Sequence, residues 1–446
     1  MTHPHLESAV VVGAGLSGLA AARVLERAGV RTTVLESGPS AGGRVQTERI
    51  GDYLVDTGPD AATAGYSHWL ALVDELGLKD ELTTPSGVIG LVRDGRILDL
   101  DPSTPWQALR APFLSRRAKL RLAAGVVSLL PQLRSVDSYE LNRNAELDDP
   151  QRAAREFAYE RFGGEVTERL LDPVLRLVTG SGSGSASTLS LLGALGAWSS
   201  PIINLRGGLA AVPRGLAAQL SDVRYESEVL KVVPDGAAVR VTYRGADHSA
   251  ATLEADGCVI AAMYGRARVI WPALDNLAPD FSPALRDVKL IAVSLGYRRR
   301  PHTEAYAVIV PTVENPETLL IFMQHNKAPD RAPAGHSLVT LYTDTLATDK
   351  MLGRSDEELE EWAAGVLEGL CPELAGHRDL GVVTRWPIAG YLASPGFWRR
   401  SRALLEAIPR DGRIQLAGDL FGAGSMESAV RWGERAASRL LESNLS

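Results

Sequence analysis

Residues 9–18 read Ala9-Val-Val-Val-Gly13-Ala14-Gly15-Leu16-Ser17-Gly18, and they decide the fold. The run of small and β-branched residues up to Gly13 has the character of a parallel strand buried on both faces. It passes straight into Gly13-x-Gly15-x-x-Gly18. Apolar residues at helical spacing over 19–28 then mark an amphipathic helix, and a second apolar run over 32–35 ends at Glu36. Strand, glycines, helix, strand and acid fall at the spacing of the β-α-β dinucleotide fingerprint. Gly13 allows the turn out of the strand, Gly15 lets backbone approach a pyrophosphate, and Gly18 lets helix and strand pack closely. The helix N-terminus at Ala14 to Ser17 offers unpaired N–H groups to the anion. Glu36 suits a ribose with free hydroxyls rather than a 2′-phosphate.

The next stretch, Ser37-Gly-Pro-Ser-Ala-Gly42-Gly43-Arg44, selects among dinucleotides. Two glycines permit positive φ and close approach, and Arg44 presents a planar fork of donors suited to phosphates. The run E-x-x-x-x-x-G-G-R resembles the second FAD fingerprint of the flavin-containing amine oxidases, protoporphyrinogen oxidases and phytoene desaturases. That resemblance implies a non-covalent FAD, because the cysteine that amine oxidases with covalent flavin carry in the region of residues 382–398 is missing here. It places Ser37, Gly43 and Arg44 on the cofactor. It also brings Asp56-Thr57-Gly58-Pro59-Asp60 against the flavin end.

The C-terminal end resembles the same family. Residues 414–419, Ile-Gln-Leu-Ala-Gly418-Asp419, form a short apolar strand ending in Gly-Asp. Ser425-Met426-Glu427-Ser-Ala-Val then opens a helix. By resemblance Asp419 binds the ribityl or phosphate region. The helix from Met426 aims its N–H groups at the flavin, where they stabilise negative charge on its reduced form. Between the two ends, Gly207-Gly208-Leu209 resembles the point where the chain returns to the nucleotide domain. Val229 matches the position whose backbone meets the adenine. Residues 257–262 read as a buried strand completing the nucleotide sheet. Arg385-Trp386-Pro resembles the protoporphyrinogen oxidases and places Trp386 at the cofactor.

The implied fold class is α/β: a discontinuous glutathione-reductase-like Rossmann FAD domain with an inserted mixed α+β substrate domain. The expected divisions are 1–80, 200–283 and 400–446 for the first, and 81–199 with 284–399 for the second. A chain of 446 residues is long enough for two cores. Hydrophobic residues at 45% and charged residues at 23% are ordinary globular composition. A net charge of −7, with no basic-aromatic patch, argues against a nucleic-acid partner.

Cys258 and Cys371 have neither metal nor disulfide spacing. His3, His5, His68, His248, His302, His325, His336 and His377 show no zinc pattern, so no metal is expected. No G-x-S-x-G elbow is present. The nucleotide strand begins within ten residues of Met1, which leaves no space for a signal peptide. No apolar run reaches the roughly eighteen residues of a membrane span, and a cytoplasmic enzyme is expected.

Several segments carry local expectations. Residues 67–76 read as a helix capped at Gly77. Residues 88–92 and 96–100 read as a hairpin turning at Asp94-Gly95. Residues 112–133 are basic and then apolar, so they suit either a core helix with a solvated basic face or an interfacial helix taking lipophilic substrate from a membrane. Residues 135–149 read as an excursion or linker, and 153–177 as two helices split near Gly163-Gly164. Residues 180–187, Gly-Ser-Gly-Ser-Gly-Ser-Ala-Ser, read as flexible, either a lid or a surface loop. Residues 223–233 and 239–243 read as strands of a small sheet. Ser355 opens a helix with acids in its first turn.

Lys289 shares a strand face with Ile291 and Val293, an uncommon place for a lysine without a partner. It resembles the amine-oxidase lysine beside flavin N5 that is implicated in reoxidation by oxygen. The alternative is a lysine that begins the strand and snorkels outward.

The activity implied is hydride removal from a C–N or C–C bond of a mostly apolar small molecule to flavin, with O2 as the expected acceptor. Amine oxidases frame the flavin with two aromatic residues, whereas the matching positions here are Ala389 and Ser425. The pattern around Phe162, Gly208 and Trp386 resembles the porphyrinogen oxidases, while Lys289 and the Met-Glu-Ser ending resemble the amine oxidases. A porphyrinogen oxidase or carotenoid-type desaturase in a biosynthetic pathway stays open, as does a non-catalytic FAD-binding partner protein. Peripheral membrane contact and oligomeric state also stay open.

Overall fold

The computed structural model describes residues 6–101, 112–197 and 200–442. A five-stranded, fully parallel sheet lies at its centre, in the spatial order Val223–Arg224, Arg31–Leu35, Ser8–Val12, Gly257–Ile260, Ile414–Leu416. Its strands come from the beginning, middle and end of the chain. The buried small and β-branched residues of Ser8–Val12 pair on both sides, in register with Thr32 to Leu35 and with Gly257 to Ile260. Helix Leu16–Arg27 makes the first crossover. C-terminal helix Met426–Glu442 lies against it so closely that a Cβ on Gly433 would sit 2.0 Å from the Ser17 carbonyl oxygen.

A second, seven-stranded sheet runs in the order Arg378–Tyr391, Asp287–Tyr297, Ser337–Thr343, Thr318–Met323, Ala307–Ile309, Ile89–Arg93, Arg96–Leu100. It is antiparallel except where Ala307–Ile309 meets Ile89–Arg93. One face packs Ile291, Val293, Leu295 and Tyr297 against Met351, Leu359 and Ala363 of helices Thr345–Met351 and Asp356–Leu370. Ala292, Phe322 and Tyr342 face the other way, into the core shared with the helices of residues 116–197. Strand Ile202–Leu205 also pairs with Ala62–Thr63 and Leu82–Thr83.

Much of the local reading appears in the coordinates. Helix Ser67–Glu75 is followed by Gly77 at φ 70°. The hairpin turns at Asp94 (φ 51°) and Gly95 (φ 70°), the left-handed pair of a tight two-residue turn. Ser355 and Glu358 form a reciprocal capping box on Asp356–Leu370. Gly163, at φ 82°, ends helix Ala154–Phe162. Residues 223–224 join the parallel sheet, whereas Glu228–Asp235 and Ala238–Arg244 build a separate three-stranded sheet with Ala250–Ala255. His3 and His5 lie outside the described residues.

Two segments differ from the sequence reading, and a third, the expected helix after residue 112, fits it. Residues 135–149 are not a linker: a short helical turn, Leu141–Leu147, buries Leu141, Asn142 and Ala145. Residues 180–187 pack inward, with only Gly184 and Ser185 exposed. Ser183 and Ser187 are fully buried, and the Ser183 N–H donates to Asp172 Oδ1 at 2.7 Å. Low complexity here supplies small side chains that fit under a packed core. Helix Arg116–Ser135 buries Ala118, Gly125 and Leu129 but leaves Leu120 (72%), Val127 (64%) and Leu130 (39%) exposed. Its outer face is therefore apolar as well as basic. No helix among the described residues is long and apolar enough to cross a membrane.

The contact between the first and last helices leaves no space for a side chain at Gly433. Gly433→Ala is expected to cost about 1–3 kcal/mol through overpacking, read as a lower urea midpoint. A midpoint equal to that of the unaltered protein would rule out so close an approach.

Candidate functional site

The site forms where the strand ends of the parallel sheet meet the inner face of the larger sheet. The Gly13 N–H donates to Leu35 O at 2.8 Å and turns the chain out of the first strand. Gly18 packs against that turn, where a Cβ would lie 1.9 Å from Gly13 O. Gly15 is the N-cap of helix Leu16–Arg27 and supplies no side-chain cap. The first-turn amides of Leu16, Ser17 and Gly18 therefore lack intrahelical acceptors. A Cβ on Gly15 would meet nothing within 4 Å, so open space lies beside these donors. Ser17 Oγ is buried without a partner. Uncapped amides facing open space fit a pyrophosphate.

Gly42 and Gly43 lie over this turn. The Gly42 N–H donates to Ala14 O at 2.8 Å, and Gly43 adopts φ 56° with its Cβ direction 3.3 Å from Gly15 Cα. Glu36 accepts the Ala14 N–H at Oε2 and the Gly38 N–H at Oε1, each at 2.7 Å, with Ser37 Oγ donating at 3.3 Å. The Ser227 N–H donates to Glu36 O at 2.7 Å, which brings the Val229 strand alongside. Val229 O itself accepts Arg266 Nη2 at 2.7 Å.

Arg44 joins the two ends of the chain. Its Nη2 donates to Asp419 Oδ1 at 2.9 Å and its Nη1 to Ala389 O at 2.7 Å. Asp419 follows Gly418, which at φ 133° has a backbone that L side chains rarely adopt. Trp386 donates its indole N–H to Thr57 O at 2.7 Å. Gly58 lies under Arg44, where a Cβ would be 1.8 Å from the Arg44 carbonyl oxygen. Ser425 Oγ caps the last helix by accepting the Ser428 N–H at 3.1 Å, and Met426 is buried. The Gly-Gly-Arg turn, the Gly15 turn and Asp419, from the two ends of the chain, thus lie together. For an FAD, the Leu16–Gly18 amides would hold the pyrophosphate and Glu36 a ribose, with Arg44, Asp419 and the first turn of the last helix further along.

The side chains of three predicted residues are engaged elsewhere. The Lys289 ammonium donates to Asp349 Oδ1 at 2.7 Å. Alternation does put Lys289 on the face of Ile291 and Val293, but that face packs on the outer helices. Its neighbour Leu290 stands opposite Trp386, on the inner face, so Lys289 points away from the cleft. The oxygen-activating role falls with that geometry. Glu427 keeps only the main-chain role expected of the helix's first turn. Its fully buried carboxylate accepts the His68 and Trp69 N–H groups at 3.1 and 3.0 Å and Arg431 Nε at 2.7 Å. It caps helix Ser67–Glu75 and leaves only main chain for a cofactor. Asp60, though next to Pro59, turns its carboxyl away into the protein.

Asp60 Oδ1 accepts Lys327 Nζ at 2.7 Å and Gln324 Nε2 at 2.8 Å, and its Oδ2 accepts the Tyr342 hydroxyl. Burial raises its pKa, and neighbouring Asp56 adds to the shift against the opposing Lys327 charge. Asp56 in turn takes Lys327 Nζ at 3.2 Å and Arg331 Nη2 at 3.1 Å. Sequence reading missed this cluster. Lys327 sits in Asn-Lys-Ala-Pro, which has the look of a solvated loop, and no local periodicity marks a lysine that only tertiary packing buries.

Comparison with known proteins adds the following. The family described as Flavin containing amine oxidoreductase matches residues 16–441. Coproporphyrinogen III oxidase of Bacillus subtilis is 24% identical over 441 residues, covering 90% of each chain. Chloroplastic protoporphyrinogen oxidase of Nicotiana tabacum is 23% identical, over 79% of this chain and 70% of that one. In fold, the chain resembles a putative protoporphyrinogen oxidase from Exiguobacterium with TM-score 0.78 at 20% identity, covering 98% of this chain and 99% of that one. Cyclohexylamine oxidase of Brevibacterium oxydans gives TM-score 0.77 at 20% identity with the same coverage.

Arg44→Met removes both fork bonds and leaves Asp419 facing no cation. At about 1.5–3 kcal/mol for a charge-assisted hydrogen bond, FAD dissociation is expected to rise at least tenfold, measured by quenching of free-flavin fluorescence. Retained affinity would show that the fork does not organise the cofactor cleft.

Proposed function

Because the chain belongs to the flavin-containing amine oxidoreductase family, we propose that it is an FAD-dependent oxidase acting on a mostly apolar, ring-bearing small molecule. The porphyrinogen-oxidase type is favoured over the simple amine oxidases. When bound, FAD supplies a two-electron sink for hydride removal from a C–N or C–C bond. The chain contributes alignment and charge. The Leu16–Gly18 amides and Arg44 hold the dinucleotide, and Glu36 orients a ribose. The N-terminus of Met426–Glu442 offers a positive field to reduced flavin. The observation that supports this reading is the Arg44–Asp419 contact at 2.9 Å, which brings the N-terminal and C-terminal motifs together.

The porphyrinogen preference rests on the residues beside that contact. Ala389 gives its carbonyl to Arg44 and Ser425 caps a helix, so neither offers an aromatic wall for an amine. The extensive relatives in sequence carry porphyrinogen-oxidase names. Oxygen as acceptor is supported by those oxidase names, no longer by Lys289. The test is anaerobic bleaching of the yellow protein by a panel of porphyrinogens, alicyclic compounds and amines. Bleaching by a porphyrinogen, with colour restored by air, is expected. Bleaching by amines alone would overturn the preference, and a colourless protein that takes up no FAD would overturn the whole reading.

A lipophilic substrate also gives the outer face of Arg116–Ser135 a use. Leu120, Val127 and Leu130 form an exposed stripe, with Arg116, Arg117, Arg121 and Arg134 around it. The helix contains no acid although the chain is net acidic. A second copy of the helix would bring like charges together, whereas an anionic bilayer satisfies both stripe and rim. Sedimentation with phosphatidylglycerol vesicles is expected, falling with salt and lost in Leu120→Glu/Val127→Glu. Equal recovery with and without vesicles would refute the contact.

A further inference from the structure

A cluster of buried, oppositely charged side chains lies behind the 57–60 loop, not behind the strand that bears Lys289. The Lys327 side chain is fully buried, and its three protons have three acceptors: Asp60 Oδ1 at 2.7 Å, the Asp60 carbonyl at 2.8 Å and Asp56 Oδ2 at 3.2 Å. Gln324 donates to the same Asp60 oxygen as Lys327, and Tyr342 to the other. Arg331, also fully buried, adds a second cation through Asp56 and leaves Nε and Nη1 without partners. Buried ion pairs contribute little net stability, because desolvation offsets their attraction. Four ionisable groups enclosed together therefore invite a functional account.

Their placement supplies one. Thr57 to Asp60 is wedged between two bodies. On one side Gly58 touches the Arg44 carbonyl of the Gly-Gly-Arg turn. On the other, Tyr342 and Trp386 of the larger sheet, with Gln324 and Lys327 of the short helix Gln324–Lys327 that follows its strand Thr318–Met323, hold the loop's carboxyl and carbonyl groups. We propose that Lys327 is a positioning residue of the cofactor cleft: it locks the 57–60 loop against the Gly43–Arg44 turn and sets a buried positive charge behind it. The inference deepens the FAD reading above and rests on it. Asp60 ties the lysine to the loop. Lys327 is one of two buried cations set against two carboxylates, so its removal makes the surroundings of the loop more negative. More negative surroundings disfavour the more negative, reduced state of a bound flavin.

Two variants separate charge from position, each measured on the FAD-loaded full chain. Lys327→Met is expected to raise FAD dissociation at least tenfold. It should also lower the two-electron reduction potential by a tenfold shift in the reduced-to-oxidised ratio, about 30 mV. Tyr342→Phe keeps every charge but removes one tether of Asp60. It should weaken FAD retention while leaving that ratio within about twofold. Lys327→Met with unchanged affinity and potential but a lower melting temperature would make the cluster purely structural and overturn the proposal. If Lys327→Met does not fold, Tyr342→Phe decides alone: FAD retention equal to the unaltered protein overturns it. An unaltered protein that binds no FAD would instead bring down the parent reading.

Discussion

Two nitrogen atoms of Arg44 hold three distant parts of the chain in one place. One reaches Asp419, 375 residues away, and the other reaches the carbonyl of Ala389 on the last strand of the larger sheet. A planar fork with fixed donor directions constrains both partners at once, which a flexible ammonium cannot do. The parallel sheet, the C-terminal helix and the substrate-side strand therefore share a common reference point. The glycines around it serve the same closeness: Gly43 lies on Gly15, and Gly58 lies under Arg44.

Behind that fork lies a second constraint of a different kind. Asp56 and Asp60 leave the short strand Tyr53–Asp56 and the turn after it, and they meet Lys327 and Arg331 from the segment after Thr318–Met323. Each charge alone would be too costly to bury. Together they tolerate burial, and they tie the nucleotide side of the cleft to the inner side of the larger sheet. Removing one partner would strand the others, so the cluster ties the two halves' relative position to its own integrity.

The contrast between the two lysines shows why a sheet face has to be identified and not only counted. Alternation correctly groups Lys289 with Ile291 and Val293. Yet a strand has two faces, and nothing along residues 287–297 says which one looks toward the cofactor. Helices Thr345–Met351 and Asp356–Leu370 cover the Lys289 face, and Asp349 takes its charge. The Gly/Ser run of 180–187 teaches a similar lesson. Its composition reads as flexible, but small hydroxyl-bearing residues also suit a tight buried turn with an acceptor such as Asp172.

Sequence alone determined the parallel βαβ core, the hairpin at Asp94-Gly95, the capping box at Ser355 and the family, because each depends on short-range patterns. Turn glycines, cap residues and strand alternation act over a few residues and leave their mark in linear order. The convergence of the two end motifs was also legible, since each motif has its own spacing. Tertiary structure decided which lysine is buried, that Glu427 caps a neighbouring helix, that Asp60 turns inward and that Leu120 and Val127 stay exposed. Those outcomes depend on which surfaces meet across hundreds of residues, and desolvation, which rules them, has no signature in the order of the residues.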